Sequence, residues 1–262
     1  MNKDFIKIIV LLVVIFVIAK ACNRSDSPSS SALSNWEKTP VDELVKKLAN
    51  EQNFTIVLYD MDAENDIYKH QYQVIVEKPD TVTSEITEWF TVSDVFFEQH
   101  LNDMGMEIAS KKDGKLHKET APAGYSNYVG NERYGHWVNR NGSSFWEFYG
   151  KYRFMTSMFH LMTYPARRAY WDDYYGGYYG RGRAYYGPSG NPIYGTRSYA
   201  NTSTGKNSKW GNKSSDFKNK VRSKVSRSAS ATRAKRSSRT SRSSSRSSRN
   251  SSYRSRSGGF GK

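Results

Sequence analysis

The sequence predicts an α+β fold: a small, mostly antiparallel sheet of three to five strands with helices packed on one face. A hydrophobic leader precedes it and a long disordered tail follows. Three observations carry the expectation. A helical pattern occupies Trp36 to Asn50, three β-rich runs lie between Phe54 and Val92, and a second helix followed by a hairpin spans Val95 to Lys118. Helix, strands, helix and hairpin in that order suit two packed layers around one core.

The first helix starts at a cap. Thr39 can cap it, Pro40 suits its first position, and Asp42 and Glu43 favour its positive end. Val41, Leu44, Val45 and Leu48 then share one face. Phe54 to Tyr59 reads as a buried strand, and Asp60 to Asp66 as a solvated hairpin loop. The alternating acids Asp60, Asp62 and Glu64 resemble a calcium loop only loosely, because no glycine stands at the sharp turn.

Ile67 to Lys78 continues as a strand, with Tyr72, Val74 and Val76 on one side. Pro79-Asp80 marks a turn, and Glu85 to Val92 makes a third strand around Ile86, Trp89 and Phe90. Ser93 or Asp94 opens a helix over Val95 to Asp103, which buries Phe96, Phe97 and Leu101 and closes at Gly105. Met106 to Lys118 folds back at Lys112-Asp113-Gly114.

Beyond this the chain is crowded with aromatics. Ser143 or Ser144 can cap a helix from Phe145 to about Met162, stopped by Pro165. The folded domain is therefore expected over residues 36–165. Residues 166–200 are rich in tyrosine and glycine and read as a loosely packed or disordered surface segment. Arg181 and Arg183 among those tyrosines could stack on bases or sugars.

Charge is distributed very unevenly. The chain has a net charge of +15, but residues 201–262 hold 18 Lys and Arg against the single acid Asp216. The other 200 residues are close to neutral, so the basicity belongs to the tail. With almost no apolar residues, the tail is expected to stay disordered. Its cations Arg227, Arg233, Lys235, Arg236, Arg239, Arg242, Arg246 and Arg249 are the expected contacts to an anionic partner. Deleting 201–262 is then expected to remove salt-sensitive binding and leave the domain folded.

The N-terminus sets the compartment. Lys3 and Lys7 precede an unbroken apolar run from Ile8 to Ala19. Twelve residues are short for a span of roughly 20 and fit the core of an export signal. The run ends in Ala19-Lys20-Ala21-Cys22, which resembles the lipobox of bacterial lipoproteins, and Cys22 is the only cysteine. That resemblance implies lipidation at Cys22; the alternative is an uncleaved anchor with Lys20 at the interface. Residues 23–35 make a Ser-rich tether. One thiol permits no internal disulfide, so the domain must be held by its core.

No catalytic constellation stands out. His70, His100, His117, His136 and His160 lack metal-ligand spacing, Ser144 lacks a GxSxG context, and no phosphate-cradling P-loop occurs. Neither enzymatic activity nor a cofactor or metal is expected, and no small-molecule substrate is identified. The arrangement at Ala19 to Cys22 and Arg222 to Lys262 resembles uncharacterised bacterial envelope lipoproteins with basic serine-rich tails. The resemblance implies an extracytoplasmic protein tethered to a membrane, with its tail on anionic headgroups or wall polymers. Nucleic acid is the alternative partner.

Overall fold

The computed structural model describes residues 39–248, with side chains described as far as Lys235. The leader, Cys22 and Arg249 lie outside the described residues. Helix α1 (Pro40–Lys47) begins as its sequence dictates. The Thr39 side chain accepts from the Asp42 N–H, and the Asp42 carboxylate accepts from the Thr39 N–H in return. Val41 and Leu44 are buried, and Val45 and Leu48 pack beside them.

Strands β1 (Phe54–Glu64) and β2 (Ile67–Glu77) form a long antiparallel hairpin. The expected loop at 60–66 is corrected: β1 runs on through Glu64, and the turn is only Asn65-Asp66, both at positive φ. A bulge after Leu58 changes the phase of β1, so Met61 and Ala63 continue the face begun by Phe54, Ile56 and Leu58. Strands β3 (Val82–Ile86) and β4 (Phe90–Val92) both pair with β2. They replace the single strand expected at 85–92. The Thr87 hydroxyl accepts from the Tyr72 N–H at 3.0 Å, so a side chain interrupts the backbone ladder there.

Helix α2 (Asp94–Gln99) starts with Ser93 as its cap. It ends four residues short of the expected Asp103. Strands β5 (Met106–Lys112) and β6 (Lys115–His117) turn at Asp113-Gly114, and β7 (Ala121–Pro122) returns to β5. The main sheet is antiparallel in the order β3-β2-β1-β5-β6, with β4 also on β2 and β7 also on β5. Seven strands exceed the three to five expected, because short pieces read as one strand or as loop.

A second hairpin, β8 (Gly135–Arg140) and β9 (Ser143–Phe148), overturns the helix expected from Phe145 to Met162. Asn141 and Gly142 both take positive φ, the geometry of a tight two-residue hairpin turn. Trp137 and Trp146 face each other across it, edge to face at 5.1 Å. Only a short helix remains, α3 (Phe154–Met158).

Both faces of the main sheet are covered. On one, Phe54, Ile56, Leu58 and Tyr72 meet α1, Phe97 of α2 and Leu101 just beyond it. On the other, Val57, Ile75 and Val82 meet an aromatic layer of Tyr125, Tyr128, Tyr134, Tyr174 and Tyr185. Tyr174 lies in α4 (Arg168–Gly177). Tyr174 and Tyr185 are fully buried, so the loose surface segment expected at 166–200 is instead part of the core. Tyrosine has the area for that role, and several edge-to-face pairs add to its burial.

The disordered tail expected at 201–262 is corrected over residues 201–248, and its remainder lies outside the described residues. After α5 (Thr196–Tyr199), two short helices follow, α6 (Ser203–Asn207) and α7 (Lys209–Asn212), and then α8 (Ser215–Ser248). Trp210, Val221 and Val225 join the core on the α2 side. Complete burial of Val225 alone is worth about 1.5–3 kcal/mol. Among the described residues, no helix is long and apolar enough to cross a membrane.

Candidate anion-binding face

The basic tail begins by attaching itself to the domain. Asp60 accepts the backbone N–H groups of Lys209 and Trp210 at 2.7 and 3.2 Å, and so holds the start of α7. The Lys209 ammonium lies 3.6 Å from the buried Asp62 and sits over the Trp89 ring. Lys213 reaches Asp62 at 3.2 Å and Glu64 at 3.4 Å. The acids of the loose calcium-like pattern are thus receptors for lysines of the tail. Among the described residues, no three His, Cys, Asp or Glu side chains gather as a metal site.

Helix α8 then docks on α2. Val221, Val225 and Ala229 recur every fourth residue, so they lie in one stripe, and all three are buried. Phe217 packs at the start of the stripe. Polar pairs flank it: Lys224 with Asp66 at 2.5 Å, Ser228 with Asp94, and Arg233 with Glu98 at 2.6 Å.

Where α8 leaves α7, a cleft of about 420 Å³ opens beside the 101–104 turn. Met104, Tyr199 and Trp210 make its apolar floor. Three cations line it, Arg197, Lys218 and Arg222, and no carboxylate does. Lys218 donates to the Gly211 carbonyl at 2.9 Å, and Arg222 donates to Asn102 Oδ1 at 3.1 Å. Burial lowers the affinity of both side chains for their protons, and the charge of Arg222 adds to the effect at Lys218.

Backbone contacts fix the walls. The Thr196 hydroxyl donates to the Leu101 carbonyl at 2.8 Å and accepts from the Met104 N–H at 3.1 Å. A Cβ on Gly211 would stand 1.9 Å from the Gly205 carbonyl oxygen, so only glycine lets α6 and α7 approach this closely.

Three other clusters of titratable groups are hydrogen-bonded within the fold. Asp103 accepts from Tyr186 at 2.6 Å and from Thr120 at 3.2 Å, and pairs with His100 Nδ1 at 2.7 Å. Glu107 accepts from the Gly124 N–H and from the Ser126 hydroxyl, which also contacts Tyr174. Burial pushes Glu107 up to about 7. Glu119 accepts from the Gly180 and Gly182 N–H groups and lies 3.4 Å from His117. These groups tie the chain to itself. His136 is exposed and stacks on Tyr149.

The anticipated contact residues separate into groups. Arg227 is exposed and donates to the Ser223 carbonyl of its own helix at 3.1 Å. Arg233 is engaged with Glu98, and Lys235 has an interaction of its own. Arg236, Arg239, Arg242 and Arg246 lie on the α8 backbone, with side chains outside the described set. Arg183 sits over Tyr178 at 4.8 Å, and Tyr175 and Tyr179 stack on one another at 4.5 Å. Sequence reasoning missed Lys218 and Arg222, and with them the cleft. The visible signal was Phe217, Val221, Val225 and Ala229 at four-residue spacing, a helical stripe inside a polar run.

Comparison of the chain with protein-family models, with curated proteins and with solved structures finds no match.

Proposed function

We propose that this is a membrane-tethered binding protein of the bacterial envelope. In this reading its leader holds one end, and the basic segment from Arg236 onward engages an anionic surface or polymer. The observation that supports it most directly is how the tail divides. Lys209, Lys213, Lys224 and Arg233 are paired with Asp62, Glu64, Asp66 and Glu98 of the domain. From Arg236 to Lys262 eight cations follow in the sequence with no acid among them. The first part of the tail secures itself to the fold, and the last part carries surplus charge.

Basic residues near an anionic bilayer contribute about 1 kcal/mol each, which salt screens within a Debye length. A lipid at Cys22 and a polybasic segment are each weak attachments, and one chain carrying both gains from their linkage. The test is binding of the full chain to vesicles with and without anionic lipid, across a salt series. Removing 236–262 should abolish the salt-sensitive component. Binding that survives this deletion unchanged overturns the role of the segment.

A further inference from the structure

We propose that the cleft between the 101–104 turn and the start of α8 binds an organic phosphate, a phosphate monoester carried on an apolar body. The proposal is independent of the reading above, because it concerns a built pocket and not the segment from Arg236 onward.

The charge pattern is the first argument. Lys218 and Arg222 stand four residues apart on one helix, so they are surface neighbours of like sign, an arrangement that destabilises a helix. Arg197 joins them from α5. Four other tail cations have domain carboxylates opposite them: Lys209 and Lys213 have Asp62, Lys224 has Asp66 and Arg233 has Glu98. These three line a cleft that contains none. A dianion placed among them would relieve the repulsion and meet charge-assisted donors. Donors remain for it. The Lys218 ammonium has three N–H groups and donates one of them to Gly211, while Arg222 has five and places two on Asn102 and Leu101.

The shape is the second argument. About 420 Å³ falls within the range of small-molecule sites, and inorganic phosphate would leave most of it empty. Met104, Tyr199 and Trp210 offer apolar surface beneath the cations. The Thr196 bonds and the Gly205–Gly211 approach hold the walls before any ligand arrives, so little ordering cost falls on binding.

Phenyl phosphate is the probe, titrated calorimetrically into the full chain, with inorganic phosphate and benzyl alcohol as its charged and apolar halves. Saturable binding about tenfold or more tighter than either half is expected. Lys218→Met keeps the aliphatic stem and removes one charge, and should weaken the affinity about tenfold. Ala200→Phe fills the exposed rim without touching charge and should abolish binding. Melting curves confirm that each variant is folded, and Arg197→Met, at an exposed position, serves where another variant is not. The chain lacking 236–262 should retain full affinity for phenyl phosphate, which separates this site from the basic segment.

Vesicles of phosphatidylcholine with phosphatidic acid distinguish the sources. Capture by the shortened chain that Lys218→Met abolishes identifies a lipid phosphate. Phenyl phosphate binding without vesicle capture identifies a soluble ester. No saturable binding of either, or binding that folded Lys218→Met and Ala200→Phe variants leave unchanged, overturns the proposal.

Discussion

The carboxylate of Asp60 and the backbone N–H of Trp210 are 3.2 Å apart, across 150 residues of sequence. Asp60 also takes the Lys209 N–H at 2.7 Å and that of Met61 at 2.8 Å. Burial raises its affinity for a proton, and these N–H donors offset part of the rise. Asp60→Ala strands two N–H groups at the start of α7 and should cost about 2–4 kcal/mol in urea unfolding. Asp60→Asn keeps one acceptor and should cost less. Equal stability of all three chains would remove Asp60 from the attachment of the tail.

The two ends of the tail should behave differently when removed. Deleting 236–262 should leave cooperative melting in place. Deleting 201–262 strips Trp210, Val221 and Val225 from the core and should abolish it, contrary to what composition suggests. Val225→Ala should cost about 2 kcal/mol, scaled from its complete burial. A cooperative transition in the 1–200 fragment would show that the helical tail is dispensable.

Glu107 gives stability a pH dependence of known sign. Its carboxyl is pushed from an ordinary 4.5 to about 7, chiefly by burial. Below pH 4.5 it is protonated in both states. Between 4.5 and about 7 the unfolded chain ionises while the buried acid keeps its proton, so the unfolded state gains and stability falls. Above about 7 the loss is complete, at about 3 kcal/mol from this group. Glu107→Gln should flatten that window and leave the protein more stable than the parent at pH 8. Parallel pH profiles for the two chains would place the ionised form in the fold at neutral pH.

Glu119 fastens the glycine turn after α4 through the N–H groups of Gly180 and Gly182. These amides are exposed, so water can replace the carboxylate in part. Glu119→Ala should therefore cost about 1–2 kcal/mol and speed hydrogen exchange at 180 and 182. Unchanged exchange at both positions would refute the tie.

Local signals were legible where caps and periodicity agreed. Thr39-Pro40 opens α1, Ser93 caps α2, and Asp113-Gly114 turns the β5–β6 hairpin, each for reasons carried by neighbouring residues. The errors came where one signal outweighed another. Asn141-Gly142 marks a hairpin, yet the density of apolar residues after it reads as a helix. In the tail, serine and arginine hide a stripe of only four apolar residues, and its value appears only once α2 is in place to cover it. The cleft was least legible, because Asn102, Arg197 and Lys218 meet through tertiary structure alone.

The 150-residue reach from Asp60 to Trp210 also bears on how the chain is made. Strand β1 is translated long before Trp210, Val221 and Val225, the residues that seal its face. The nascent polypeptide therefore lacks its complete core until Val225 has been made. Contacts of this sequence separation form late, so early closure of the β1 face is disfavoured.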